Sequence, residues 1–280
     1  VDDGGNPISV SAPPSRIVSL IPATTELVFA LGAGDRLVGR THWCDYPSEA
    51  SRVSDLGSGI GPNVEAVLEA KPDIVLLYHS SANAPAASRL RELGVRVLEL
   101  RTDRIADLER VTTLLGGVLG LQPTADSLLG RIRQDLAKAD WRSGGQAVAD
   151  SDQLPALPPS RPPARPSVFI LSWNRPPMTL GSGSFLSEIV ERAGARNLFQ
   201  DIPAPSAPIS IEAVADRDPD FVLTAAVDLP EIATLPEWQS VPAVRERRFI
   251  RVEGSEFNRP SPRIGAAIRK LRAALDSARP

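Results

Sequence analysis

Short apolar runs alternate with helical stripes along most of the chain. Residues 16–21 form a β-branched run that reads as a buried strand, and 26–31 carry helical spacing behind it. Thr24 or Thr25 is the expected N-cap of that helix, and Gly32 or Gly34 its stop. The same reading places strands at 37–39, 74–78 and 95–100, and helices at 64–70 and 86–93. Leu108, Val111, Leu115, Val118 and Leu119 share one helix face that Gly120 closes. Pro123 then opens a helix with Leu128, Leu129, Ile132 and Leu136 on one side. After a break the pattern restarts, with strands at 167–172, 220–225 and 248–252 and helices at 184–193 and 262–277. Apolar runs of this length separated by helices predict a parallel α/β architecture.

The restart is a repeat. Residues 64–77 and 211–224 align at a constant offset of 147, with seven of fourteen positions identical. Two similar α/β lobes are therefore expected: an N-terminal lobe over 1–121, a single connecting helix over 122–141, and a C-terminal lobe over 167–280. Two such lobes leave a central cleft, the usual place for a small molecule. The stretch 142–166 is rich in proline and glycine, cannot supply core, and is expected to be a mobile insertion.

Composition removes several function classes. With 42% hydrophobic and 23% charged residues, the 280-residue chain can bury full cores. Its net charge of −3 offers no basic face for nucleic acid. The single cysteine, Cys44, excludes an intrachain disulfide and a zinc site of the Cys-pair type; two histidines, His42 and His79, cannot build a three-histidine metal cage. No run reaches the ~18 apolar residues of a membrane-crossing helix. The chain begins at Val1, which leaves a removed leader open.

Candidate chemistry is sparse. Gly181-Ser182-Gly183-Ser184 is not a nucleophile elbow, and no histidine lies in the second half to serve as base. No titratable dyad stands out, so the chain is expected not to be an enzyme. The glycine-rich stretch 57–61 lacks the Lys-Ser/Thr of a phosphate-binding loop and reads as a plain loop. His42, Cys44 and Asp45 are too close in an extended segment to converge on one ion, so no metal site is expected. The aromatics say more. Trp43 and Tyr46 follow the second strand, Tyr78 and Trp173 end strands, and Trp238 and Phe257 sit in late loops. Ligands of open α/β sheets bind beyond the carboxyl ends of the strands. Aromatics there suit a large, flat, partly apolar ligand.

Several stretches resemble the cobalamin-binding branch of the class III periplasmic binding proteins, the substrate-binding partners of ABC importers. They are Arg16-Ile-Val-Ser-Leu-Ile-Pro-Ala-Thr-Thr-Glu-Leu, Val38-Gly39 with Asp45-Tyr46-Pro47, Asn63-Val-Glu-Ala-Val and Lys71-Pro-Asp-Ile-Val. Pro176-Pro177-Met178-Thr179 and Phe257-Asn-Arg-Pro-Ser-Pro-Arg263 continue the match in the second half. The resemblance implies two Rossmann-like lobes joined by a long helix, a corrinoid such as cobalamin as ligand, and no cofactor. It also implies a monomer that docks on a permease dimer, in a periplasmic or other extracytoplasmic setting, free or lipid-anchored. Tyr46, Tyr78 and Met178 would lie near the ligand, and Ile60 falls where these proteins can carry a tryptophan. Trp43, Trp173, Trp238, Phe257 and Arg259 complete the expected ligand set, with Asn174 as a further polar contact. Glu65 and Glu212 match the two acidic residues that dock onto permease arginines, and the repeat makes them equivalent. The strand-helix frame is shared with ferric siderophore and heme binders, which remain the alternative ligands. A small-molecule enzyme on two α/β domains is the alternative from another class.

Overall fold

The structure, a computed structural model, describes residues 1–8, 10–145, 165–225 and 229–278. It divides into two compact units: Val1–Ile132 with Arg259–Pro262, and Arg133–Asn258 with Arg263–Pro280.

Unit 1 is built on β1 (Ile17–Ser19), α1 (Pro22–Ala30), β2 (Leu37–Arg40), α2 (Val64–Glu69), β3 (Ile74–Tyr78), α3 (Ala84–Glu92), β4 (Arg96–Leu100) and α4 (Ile105–Leu119). The strands form one sheet in the order β2-β1-β3-β4, with every adjacent pair parallel. Their carboxyl ends therefore share one edge. Val18, Leu20, Val75 and Leu77 pack with Val67, Ala87 and Leu90 into a core between strands and helices. Buried parallel strands have no polar face, which is why they read as unbroken apolar runs.

The expected threonine cap of α1 is corrected by the structure. The helix starts at Pro22, whose fixed φ and missing N–H suit a first position. Thr24 and Thr25 are its third and fourth residues, fully buried. The Thr24 hydroxyl donates to the Ile21 carbonyl at 2.9 Å, and the Thr25 hydroxyl donates to Ser19 Oγ at 2.8 Å. They spend their hydroxyls on a buried network, and no side chain caps the helix.

α5 (Gln122–Ala139) carries the chain from one unit into the next. Unit 2 then comprises β5 (Ser167–Asn174), β6 (Pro177–Leu180), α6 (Phe185–Ala193), β7 (Arg196–Asn197), β8 (Ser206–Pro208), α7 (Ile211–Arg217), β9 (Phe221–Thr224), α8 (Leu229–Ile232), α9 (Pro242–Arg245), β10 (Phe249–Arg251) and α10 (Ile264–Ala278). Its sheet runs β10-β9-β5-β6-β8, with β7 paired on β5. β10, β9, β5 and β7 are parallel; β6 and β8 extend the sheet antiparallel. The core joins Phe169, Leu171, Phe199, Val214, Val222 and Trp238.

The repeat has a structural reason. Asp73 and Asp220 are the same position, 147 residues apart. Asp73 Oδ2 accepts from the amide and hydroxyl of Ser15, just before β1, at 2.8 and 2.9 Å. Asp220 Oδ2 accepts from the amide and hydroxyl of Ser167, the first residue of β5, at 2.6 and 2.7 Å. Each aspartate thus ties the turn after a helix to the start of the lobe's first strand. The Ser15 amide, followed by its hydroxyl, holds the Asp73 carboxyl below its ordinary 3.8. A depressed carboxyl contributes stability above its unfolded pKa and loses it as pH falls through the folded one. The native urea midpoint is therefore expected to drop below about pH 4, with Asp73→Asn showing a shallower drop in the same titration. Asp220→Ala is expected to cost roughly 1–2 kcal/mol in urea unfolding, the worth of charge-assisted hydrogen bonds at a partly exposed site.

The expected mobile insertion at 142–166 falls mainly on 146–164, which lie outside the described residues. Its flanks are ordered. A 3₁₀ turn spans Trp141–Gly145. The Arg165 guanidinium lies 5.5 Å from the centre of the Trp141 ring and pairs with Glu191 at 2.6 Å. Because the flanks are this close, a short Gly/Ser linker can replace 146–164. The expected result is a melting temperature within a few degrees of native and unchanged cooperativity by calorimetry; loss of cooperativity would show that the segment packs on its unit.

Candidate functional site

At the carboxyl edge of the unit 1 sheet, two loops and the end of β3 present large side chains. The loop after β2 carries Trp43, 65% exposed, and the half-exposed Tyr46. The Trp43 indole leans on His42, ring centres 4.6 Å apart. Beneath it Cys44 is buried, its sulfur 3.1 Å from Thr25 Oγ1 and 3.3 Å from Thr41 Oγ1. The next loop presents Ile60, 71% exposed. A Cβ at Gly59 would come within 2.3 Å of the Leu20 carbonyl, so only glycine lets this loop lie against the end of β1.

Asn83, fully buried, fixes the same loop to β3. Its Nδ2 donates to the carbonyls of Gly59 and Tyr78 at 3.0 and 2.9 Å, and its Oδ1 accepts from the Gly61 amide at 2.8 Å. Tyr78 ends β3, and its hydroxyl donates to Asp103 at 2.7 Å. Burial, then that bond to a carboxylate, pushes the Tyr78 phenol far above its ordinary value and keeps it protonated.

In unit 2 the corresponding edge carries the β5–β6 hairpin. Trp173, 60% exposed, stands opposite the half-buried Met178 across the two strands. The Trp173 ring nitrogen donates to the Arg175 carbonyl at 2.9 Å, which fixes the indole.

Three expected ligand residues are corrected. Trp238 has no exposed surface. Its ring stacks on Phe169 at 5.9 Å and its Nε1 donates to Asn174 Oδ1 at 2.9 Å. It is a core residue with its polar atom satisfied, and it draws the Asn174 oxygen into structure. Phe257 is likewise buried, within the turn Ser255–Phe257. Arg259 is no free arm: it is buried in unit 1 against Glu26 and the loop after β2. Late-loop position hid all three. The apolar Ile232, Leu235, Val241 and Val244 around Trp238 were the available signal for its burial.

Sequence reasoning passed over Asn83 and Asp103, and it did not show that Glu26 and Asp45 pair with Arg259. Asp103 had one signal, its place just beyond the end of β4. Glu65 and Glu212 are both exposed, each the second residue of its helix, α2 and α7. Asn63 caps α2 by accepting from the Glu65 amide, and Ser210 caps α7 by accepting from Ala213. The repeat thus extends to the helix starts that present these carboxylates.

A family model described as periplasmic binding protein matches residues 17–255. An uncharacterized ABC transporter substrate-binding lipoprotein, YvrC of Bacillus subtilis, is 27% identical over 98% of this chain and 84% of its own length. The vitamin B12-binding protein of Pectobacterium carotovorum is 26% identical over 95% of this chain and 90% of its own. Among solved structures, the periplasmic heme-binding protein RhuT from Roseiflexus superposes with a TM-score of 0.79. It covers 96% of this chain and all of its own at 22% identity, which is a likeness of fold.

Proposed function

The chain belongs to the periplasmic binding protein family, and we propose that the small molecule it carries is a corrinoid of the vitamin B12 type, captured outside the cytoplasm and delivered to the permease of an ABC importer. The observation that carries the reading is the group of exposed Trp43, Tyr46 and Ile60 at the carboxyl edge of the unit 1 sheet; unit 2, taken by itself, exposes Trp173 near the end of β5. Large apolar side chains left in water on well-fixed loops mark a binding surface. A corrin is broad and flat with amide arms at its rim, so it needs apolar faces and neutral hydrogen-bonding groups rather than a ring of cations. Arg259, the cation expected to meet the ligand, is already committed to Glu26 and Asp45. The relatives that carry a vitamin B12-binding name cover nine-tenths of this chain and support the same choice.

Each of these side chains buries area worth roughly 1.5–3 kcal/mol. Three or four are enough for submicromolar binding after the cost of association. Titration with cobalamin is expected to give calorimetric heat and to quench part of the tryptophan emission, the quench vanishing in Trp43→Phe/Trp173→Phe. Binding should change little between low and high salt, since few exposed charges take part. Silence toward cobalamin and cobinamide, with a response to hemin or a ferric siderophore, would replace the corrinoid by that ligand. Glu65 and Glu212 are the groups we assign to permease docking.

A further inference from the structure

We propose that Arg259 is a positioning residue for the ligand loop: it fixes the backbone at 43–45 to α1, so that Trp43 and Tyr46 stand as a preformed platform. The proposal rests on the reading of that loop as part of the binding surface. Arg259 belongs to unit 1, although Asn258 and Arg263 on either side of Arg259–Pro262 belong to unit 2. Its guanidinium engages three acceptors. Nε donates to Glu26 Oε1 at 2.7 Å, one terminal nitrogen donates to the Trp43 carbonyl at 2.9 Å, and the other pairs with the Asp45 carboxylate.

The division of labour is informative. Glu26 is a buried carboxylate on α1, and a buried charge must be paired. The Nε contact alone would serve that purpose. The two terminal nitrogens go instead to a loop that has no regular secondary structure. The same loop is held from inside by the Cys44 sulfur against Thr25 and Thr41, and by the His42 amide on the Gly57 carbonyl at 3.2 Å. Its backbone is therefore fixed from several sides while its indole stays in water. Preorganisation of this kind lowers the ordering cost of binding. It also needs the planar fork of arginine, because a lysine ammonium is a compact point charge without that geometry.

Arg259→Lys and Asp45→Ala test this, the second removing a loop contact without exposing Glu26. The first measurement is hydrogen exchange of the unliganded protein. Both variants are expected to exchange about tenfold faster or more at residues 42–46, with β1 and β3 as protected as in the native chain. Unchanged exchange at 42–46 overturns the proposal, and so does faster exchange throughout unit 1, which marks a general structural role. The second measurement is cobalamin affinity in a double-mutant cycle with Trp43→Ala. Arg259→Lys should weaken binding about tenfold in the native background and less than about twofold once Trp43 is gone. An undiminished effect without Trp43 means that Arg259 touches the ligand itself, which also overturns the proposal. If the native protein ignores cobalamin, the corrinoid reading fails, and the exchange measurement alone decides the role of Arg259.

Discussion

Reversing both docking charges, Glu65→Lys with Glu212→Lys, is expected to abolish ligand delivery through the transporter and to leave ligand affinity unchanged. The two glutamates hold equivalent places at the starts of α2 and α7, exposed and behind side-chain caps that fix the first turn. Both are charged and exposed, and neither is among the apolar side chains proposed to meet the ligand. An exposed ion pair is worth only about 0–1 kcal/mol, so a free-standing surface role would give a mild effect. Buried in a complex, each broken pair costs on the order of 2–5 kcal/mol, much of it from the unpaired partner charge. Two reversals together would then weaken docking by several orders of magnitude. Reconstituted transport, measured beside calorimetric ligand affinity, separates the two outcomes. Full transport by the double variant would remove these residues from the docking surface.

The α/β frame was legible because buried parallel strands are apolar on both faces and so stand out as runs: 74–78 and 95–100 are nearly coincident with β3 and β4. The repeat was legible for a similar reason, since Asp73 and Asp220 do the same work in each unit. β6 and β8 were not legible. They are four and three residues long, contain proline, and lie on the antiparallel extension of the sheet, where neither run nor period marks them. The exposed half of the site was visible because strand ends are visible. Which aromatics face solvent was not: Trp43 and Trp238 look alike in sequence, and only the packing of Phe169 against the second reveals it as core. Arg259 could be read as a charge near the site, but its partner Glu26 lies 233 positions earlier, a separation no local pattern reports.

The contrast between those two tryptophans gives the last expected result. Trp43→Ala should weaken cobalamin binding by about tenfold to a hundredfold, as expected for losing one large apolar contact of roughly 1.5–3 kcal/mol. It should leave thermal stability nearly unchanged, because an indole that is 65% exposed in the unliganded protein contributes little to folding. Adding Trp173→Ala is expected to multiply the loss, since the two residues stand on different units. Trp238→Ala should do the reverse. Its indole is fully buried, stacked on Phe169 and hydrogen-bonded to Asn174, so its removal leaves a cavity and an orphaned amide oxygen. Large-to-small changes of this kind cost about 3–5 kcal/mol, visible as a marked fall in melting temperature. The fraction that remains folded should still bind cobalamin within a few-fold of native. If instead Trp238→Ala abolishes binding at full stability, Trp238 itself belongs to the ligand site. If Trp43→Ala leaves affinity untouched, the loop after β2 is not the ligand platform.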